Sequence, residues 1–65
     1  MTDKQVVAEL DTLAGPGFTV TVAPDGDGFL LLRAGGELAG EVVARLPAIM
    51  SHGERIAAVR GWNEA

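Results

Sequence analysis

The densest group of potential ligand atoms in this 65-residue sequence is the run Asp25-Gly26-Asp27-Gly28. Carboxylates at this spacing begin a calcium-binding loop, but such a loop also needs a glutamate at its twelfth position, where this sequence has Gly36. The run also lies between two strand-like apolar segments, whereas a calcium loop joins two helices. Aspartates bond to their own backbone and glycines accept positive φ, so the run predicts a turn and no metal site.

The other candidates for chemistry are a lone histidine and a pair of carboxylates. His52 is the only histidine and there is no cysteine, so a thiolate zinc site or a histidine cluster lacks its components. A single histidine also makes a Ser–His–Asp arrangement implausible, and His52, at the predicted start of the last helix, is expected to be a solvated first-turn residue. Glu37 and Glu41 are four residues apart and would share a solvated helix face rather than a buried acid–base site. We therefore predict no catalytic residue, no cofactor and no enzymatic activity.

Composition narrows the classes of partner. Five basic and nine acidic residues give a net charge of −4, which disfavours binding to a nucleic-acid backbone or to anionic lipid. No apolar run approaches the roughly 18 residues of a membrane span. The start, Met1-Thr2-Asp3-Lys4, does not resemble a secretory signal. We expect a cytoplasmic protein that binds neither nucleic acid nor membrane.

The elements that position these residues begin with a helix at residues 3–14. Thr2 and Gln5 have the spacing of a capping box, and Gly15-Pro16-Gly17 ends the helix. Apolar residues recur at helical spacing between these signals: Val6, Val7, Leu10, Leu13 and Ala14.

A hairpin at residues 18–34 follows, because the alternating segment 18–22 and the apolar segment 29–33 flank the turn. Two helices are expected after it. The first, at 39–50, is kinked by Pro47, and the second, at 52–60, is capped by Ser51 and ended by Gly61. The sequence thus predicts a single α+β domain over residues 1–65, in the order α-β-β-α-α, with a two-stranded antiparallel hairpin packed on helices.

The hairpin carries the most informative pattern for function. Its second strand has apolar side chains on both faces, so burying one face leaves large apolar groups on the other. Strand edges also offer unpaired N–H and C=O groups to an incoming peptide. The partner-binding residues predicted on this basis are Thr19, Thr21, Leu30, Leu32 and Arg33. The alternative is that helices or a second copy of the chain cover both faces.

Four segments together resemble a known family. They are the leucine-spaced first helix, the hairpin followed by Gly36-Glu37-Leu38, and the closing runs 42–46 and 56–60. In this order they are similar to the β-hairpin docking domains of the TubC amino-terminal type, which begin subunits of nonribosomal peptide synthetases and mixed polyketide synthase systems. The resemblance implies a non-catalytic biosynthetic module that pairs the carboxyl-terminal peptide tail of an upstream subunit along its hairpin.

The resemblance also implies properties of the partner and the assembly. The family's outward hairpin positions are commonly basic, whereas Leu30 and Leu32 stand here, so we expect a more apolar tail. Some members are homodimers, which agrees with a 48% hydrophobic composition in so short a chain. The alternative function is a free-standing interaction protein, an inhibitor or adaptor encoded by a phage or another mobile element. Trp62 is either a lid on the core or a binding anchor.

Overall fold

A computed structural model describes residues 1–64 of the chain. Both helices lie against one face of a three-stranded antiparallel sheet of order β1-β2-β3, because their buried side chains join one core with alternate strand residues. The elements are α1 (Asp3–Ala14), β1 (Phe18–Val22), β2 (Phe29–Arg33), β3 (Val42–Leu46) and α2 (His52–Glu64).

Helix α1 begins with the expected capping box. The backbone N–H of Gln5 donates to the Thr2 hydroxyl oxygen, and the Gln5 side-chain oxygen accepts from the backbone N–H of Thr2. These two bonds satisfy donors that a helix start leaves free. The helix covers the predicted residues 3–14, and it ends where Gly15 adopts a φ of +84°.

The predicted fold, α-β-β-α-α with a two-stranded hairpin, is wrong: the order is α-β-β-β-α. No helix spans residues 39–50, which instead contain strand β3, antiparallel to β2, with Leu46 opposite Phe29. Two observations explain the difference. Gly40 has a φ of +88°, which breaks a helix there, and the run 42–46 starts with two β-branched valines. Pairing with β2 also satisfies backbone groups that a lone hairpin would leave open.

Helix α2 is longer than the predicted 52–60. It continues to Glu64, so the expectation that Gly61 ends the helix is wrong. The extension places the Trp62 ring edge-on against Phe18, with 6.1 Å between ring centroids. Glycine inside a helix costs about 1 kcal/mol relative to alanine, a cost that an aromatic contact can offset.

The start of α2 is capped reciprocally. The backbone N–H of Glu54 donates to the Ser51 hydroxyl oxygen, and the backbone N–H of Ser51 donates to the Glu54 carboxylate at 2.8 Å. The bond from the Ser51 backbone, followed by the interaction with the Ser51 side chain, lowers the pKa of Glu54 below the ordinary value of a glutamate. The predicted capping signal at Ser51 therefore acts at the start of this helix.

One apolar core joins all five elements. The Cα radius of gyration of the chain, 10.8 Å, is close to the roughly 10.7 Å expected of a compact chain of this length. Its buried members are Val6, Leu10, Ala14, Val20, Phe29, Leu31, Leu46 and Val59.

Candidate functional site

The second face of the sheet carries no helix. Cross-strand partners share a face, and Val20 and Leu31 lie opposite each other on the helix-covered side. The pairs on either side of it, Thr19 with Leu32 and Thr21 with Leu30, therefore lie on the second face, which we call the open face. The side chains assigned to this open face by the strand registers are Thr19, Thr21, Leu30, Leu32, Val42 and Arg45.

The open face unites four of the five residues that the sequence predicted as a partner surface. Thr19, Thr21, Leu30 and Leu32 lie on it, whereas Arg33 lies opposite Phe18 on the helix-covered side. Leu30 is only 7% exposed, so the expectation that its side chain is available to a partner is wrong. It is flanked across the two neighbouring strands by Thr21 and Arg45, which accounts for its low exposure on a face without helices.

The predicted route of docking, with a peptide paired along the second strand, also requires correction. Strand β2 lies in the centre of the sheet and pairs with β1 on one side and β3 on the other. Its backbone hydrogen bonds are therefore taken up within the sheet, and no additional strand can pair with it. The sequence-based prediction missed this because residues 42–46 were expected to be helical.

Strand β3 has a free outer edge. The backbone N–H of Arg33 donates to the Glu41 carbonyl, so the odd-numbered residues of β2 point their hydrogen-bonding groups towards β3. Leu30, the partner of Arg45, points its groups towards β1 instead. The N–H and C=O of Arg45 consequently face outward, and no other hydrogen bond within residues 1–64 takes them up.

The opposite edge of the sheet, along β1, is largely blocked. By the same alternation, Phe18, Val20 and Val22 direct their N–H groups outward. The N–H of Phe18 donates to the Gly15 carbonyl at 3.4 Å, and that of Val20 donates to the Asp11 carboxylate at 3.0 Å. Within residues 1–64, two of the three outward N–H groups of β1 are therefore taken up, whereas no such contact covers Arg45 on β3.

Exposed apolar side chains begin β3 and flank it in the sequence. Leu38 is 55% exposed, Val42 is 41% exposed, and Ile49 is 92% exposed. Leu38 precedes β3, Val42 begins it, and Ile49 follows it. Val42 and Ile49 were expected to lie in a helix at residues 39–50. The signal that could have located them is the pair of β-branched residues after Gly40 and before Pro47, which is typical of a short strand.

The two aspartates of the turn between β1 and β2 accept hydrogen bonds from backbone N–H groups. Asp25 accepts the backbone N–H of Asp27, and Asp27 accepts that of Ala48, each at 3.0 Å. Both aspartates therefore stabilise the turn and its contact with the segment after β3. Glu37 and Glu41 are exposed in the connection before β3 and share no helix. Over residues 1–64, no group of three or more potential ligands is arranged to hold a metal ion.

His52 and Trp62 both contact other elements. The His52 Nε2 atom lies 2.7 Å from a carboxylate oxygen of Glu9, which ties the start of α2 to the middle of α1. Trp62 packs on Phe18 but keeps 37% of its surface exposed, so it covers the core and also reaches the surface.

Searches of protein-family models, of curated proteins and of solved structures found no match for this chain. The resemblance to megasynthase docking domains therefore stays a prediction. Neither helix of the described chain combines the length and apolar character that a membrane crossing requires.

Proposed function

We propose that this protein is a non-catalytic, cytoplasmic protein–protein docking module that binds an extended peptide as a fourth strand on the free edge of β3. The observation that carries the proposal is the outward-facing backbone of Arg45, beside the exposed side chain of Val42. Strand addition obtains affinity from main-chain hydrogen bonds and specificity from alternate side chains.

The chemistry of the open face specifies the peptide. Val42 and Arg45 are three residues apart but share the open face, because the pairing register of β2 and β3 shifts between Leu31 and Leu32. A strand added at β3 across this irregularity would place every second side chain on the open face, next to Arg45 and then next to Val42. Arg45 is exposed and makes no ion pair within the described chain. We therefore expect a peptide with an acidic residue beside Arg45 and an apolar residue two positions away, beside Val42.

The family resemblance gives this proposal a specific form. In that form the peptide is the carboxyl-terminal tail of an upstream megasynthase subunit, and it pairs with β3 rather than with the central strand. The expectation of a more apolar tail agrees with the exposed side chain of Val42 on β3 and with those of Leu38 and Ile49, which precede and follow this strand in the sequence.

The sharpest test removes one outward-facing N–H group. Arg45→Pro deletes that donor without touching the hydrogen bonds between β2 and β3, and proline is tolerated at such edge positions. Arg45→Ala is the matched control, because both variants lose the guanidinium but only the first loses the N–H. With a labelled peptide that copies an upstream subunit's last residues, we expect Arg45→Pro to bind about tenfold more weakly than Arg45→Ala.

Fluorescence anisotropy gives the affinities, and circular dichroism checks that both variants keep their fold. Equal affinities for Arg45→Pro and Arg45→Ala would contradict pairing at β3. Binding of a peptide from another class of protein, lost in Arg45→Pro, would support docking at β3 and contradict the megasynthase assignment.

A second copy of the chain is the competing occupant, because a homodimer was also predicted. Sedimentation velocity over a range of concentrations measures it directly. A dimer that Arg45→Pro abolishes would put a second copy on β3 and contradict the peptide proposal. A monomer, or a dimer that persists in Arg45→Pro, leaves the edge free and supports it.

A further inference from the structure

A small cleft opens between the helices and one end of the sheet. Its volume is about 220 Å³, and its walls include Asp3, Val22, Phe29, Ala48 and Arg55. Binding sites for drug-sized ligands measure roughly 300–1,000 Å³, so this cleft suits one small group of about amino-acid size. It adjoins Phe29, a member of the core, and so lies on the helix-covered side of the sheet.

Arg55 is the residue in the cleft whose contacts are incomplete. Its guanidinium carbon lies 5.0 Å from the centre of the Phe29 ring, which holds the group by a cation–π contact. One terminal nitrogen donates to the Ala48 carbonyl at 3.4 Å, a long hydrogen bond. The Nε–H is buried and has no partner, and Arg55 makes no ion pair within residues 1–64.

We infer that this cleft binds a carboxylate group through Arg55. A planar guanidinium presents parallel N–H donors that match the two oxygens of a carboxylate, and a buried donor without a partner costs free energy until one arrives. The stack on Phe29 fixes the orientation of the guanidinium before binding, which reduces the entropy cost of binding. Val22, which lines the cleft and is 42% exposed, supplies an apolar contact for the body of the same ligand.

Asp3 narrows the class of ligand. Asp3 also lines the cleft, and a carboxylate at this position would repel a simple anion and accept a hydrogen bond from an N–H group of a ligand. A ligand with an apolar body, a carboxylate and a neighbouring N–H satisfies Arg55 and Asp3 together. That chemistry belongs to N-acylated apolar amino acids and to the last residue of an apolar peptide.

The inference does not depend on the docking proposal, because the cleft and the outer edge of β3 are different surfaces. The probes are N-acetyl-L-leucine and its neutral amide, which differ by one charged group. In a nuclear magnetic resonance titration of ¹⁵N-labelled protein, we expect the acid to shift the Arg55 Nε–H signal and the backbone amides of Gly28 and Ala48, with saturation. The amide should bind at least about tenfold more weakly.

Three variants distinguish specific binding at Arg55 from non-specific attraction of an anion to positively charged side chains. Arg55→Gln should abolish the saturable shifts, while Arg60→Gln, which removes an exposed arginine from the same helix, should leave them unchanged. Because Arg55 packs on Phe29, Arg55→Gln could also disturb the fold. Arg55→Lys provides a second variant, which keeps the positive charge but loses the paired N–H donors of the guanidinium. We expect it to weaken binding at least about fivefold. Equal shifts with acid and amide, or unchanged binding in Arg55→Lys, would overturn the inference.

The same titration distinguishes the two sources of the ligand. A leucine-terminated apolar tetrapeptide with a free carboxylate is compared with N-acetyl-L-leucine. Tighter binding of the tetrapeptide would assign the cleft to a peptide terminus, and equal binding would assign it to a small N-acylated acid. No saturable binding by either probe would refute the site.

Discussion

Gly28 occupies the position in the turn where a side chain is excluded for two reasons. Its φ is +78°, and a Cβ atom there would meet the carbonyl oxygen of Leu46 and the backbone around Pro47. Gly26, in the same turn, has a φ of +81° but open space around it. The two glycines therefore separate the cost of a left-handed conformation from the cost of a collision with backbone.

We expect Gly28→Ala to lower the free energy of unfolding by about 3 kcal/mol or more, since strain and overpacking act together. Gly26→Ala should cost about 1–2 kcal/mol, from backbone conformation alone. Urea denaturation of both variants measures the difference. Equal losses would mean that β3 moves aside freely at the Gly28 contact.

At the scale of elements, one side chain of α1 protects the edge of β1. The Asp11 carboxylate accepts the outward N–H of Val20 at 3.0 Å, in a partly buried position. Natural sheets block edge strands by such devices, because a free edge pairs with other chains. The contrast with β3, which has no equivalent at Arg45, is the basis for placing the docking edge there.

Asp11→Ala should destabilise the protein by about 1–3 kcal/mol, because the N–H of Val20 loses a charged acceptor. Asp11→Asn retains a side-chain oxygen at the same place and should recover most of that loss. Thermal unfolding followed by circular dichroism compares the two variants. A loss in Asp11→Asn as large as in Asp11→Ala would show that the charge, rather than the hydrogen bond, is what matters.

At the scale of the whole molecule, every element contributes a buried residue to one core. All of these residues are at most 4% exposed: Leu10 from α1, Val20 from β1, Leu31 from β2, Leu46 from β3 and Val59 from α2. Since no element has an apolar cluster of its own, we expect the chain to unfold in a single cooperative step.

Trp62 fluorescence reports the docking of α2 on Phe18, and far-UV circular dichroism reports the backbone of all elements. The two transitions should coincide. Leu31→Ala should cost about 3–4 kcal/mol, a large share of the roughly 3–10 kcal/mol expected of a 65-residue domain. Leu38→Ala, at an exposed position, should change the stability by less than about 0.5 kcal/mol. Separate transitions for the two probes would contradict a single core.

The elements that sequence analysis located correctly depend on neighbours in the chain. The reciprocal bonds between Thr2 and Gln5 start α1 within a few residues. Likewise, β1 and β2 are adjacent in sequence and are joined by the turn at 25–28. Local hydrogen bonds and alternation encode such structures, so no knowledge of the remaining chain is needed.

Residues 42–46 show what local signals leave undecided. Their apolar positions fit a helix with Leu38 and Ile49, and they fit a strand equally well, so the choice depended on what lay beside them. The vacant edge of β2 supplied a pairing partner, and forming β3 satisfied backbone groups on both strands.

For the candidate site, too, some features follow from the local sequence and others only from the tertiary structure. The sequence by itself determined which residues of β1 and β2 share a face, because side chains alternate along a regular extended strand. Only the tertiary structure decided that β2 is central, that Leu30 is covered, and that β3 carries the free edge. Strand order is set by contacts between residues far apart in the chain, and a local pattern of apolar residues does not contain that information.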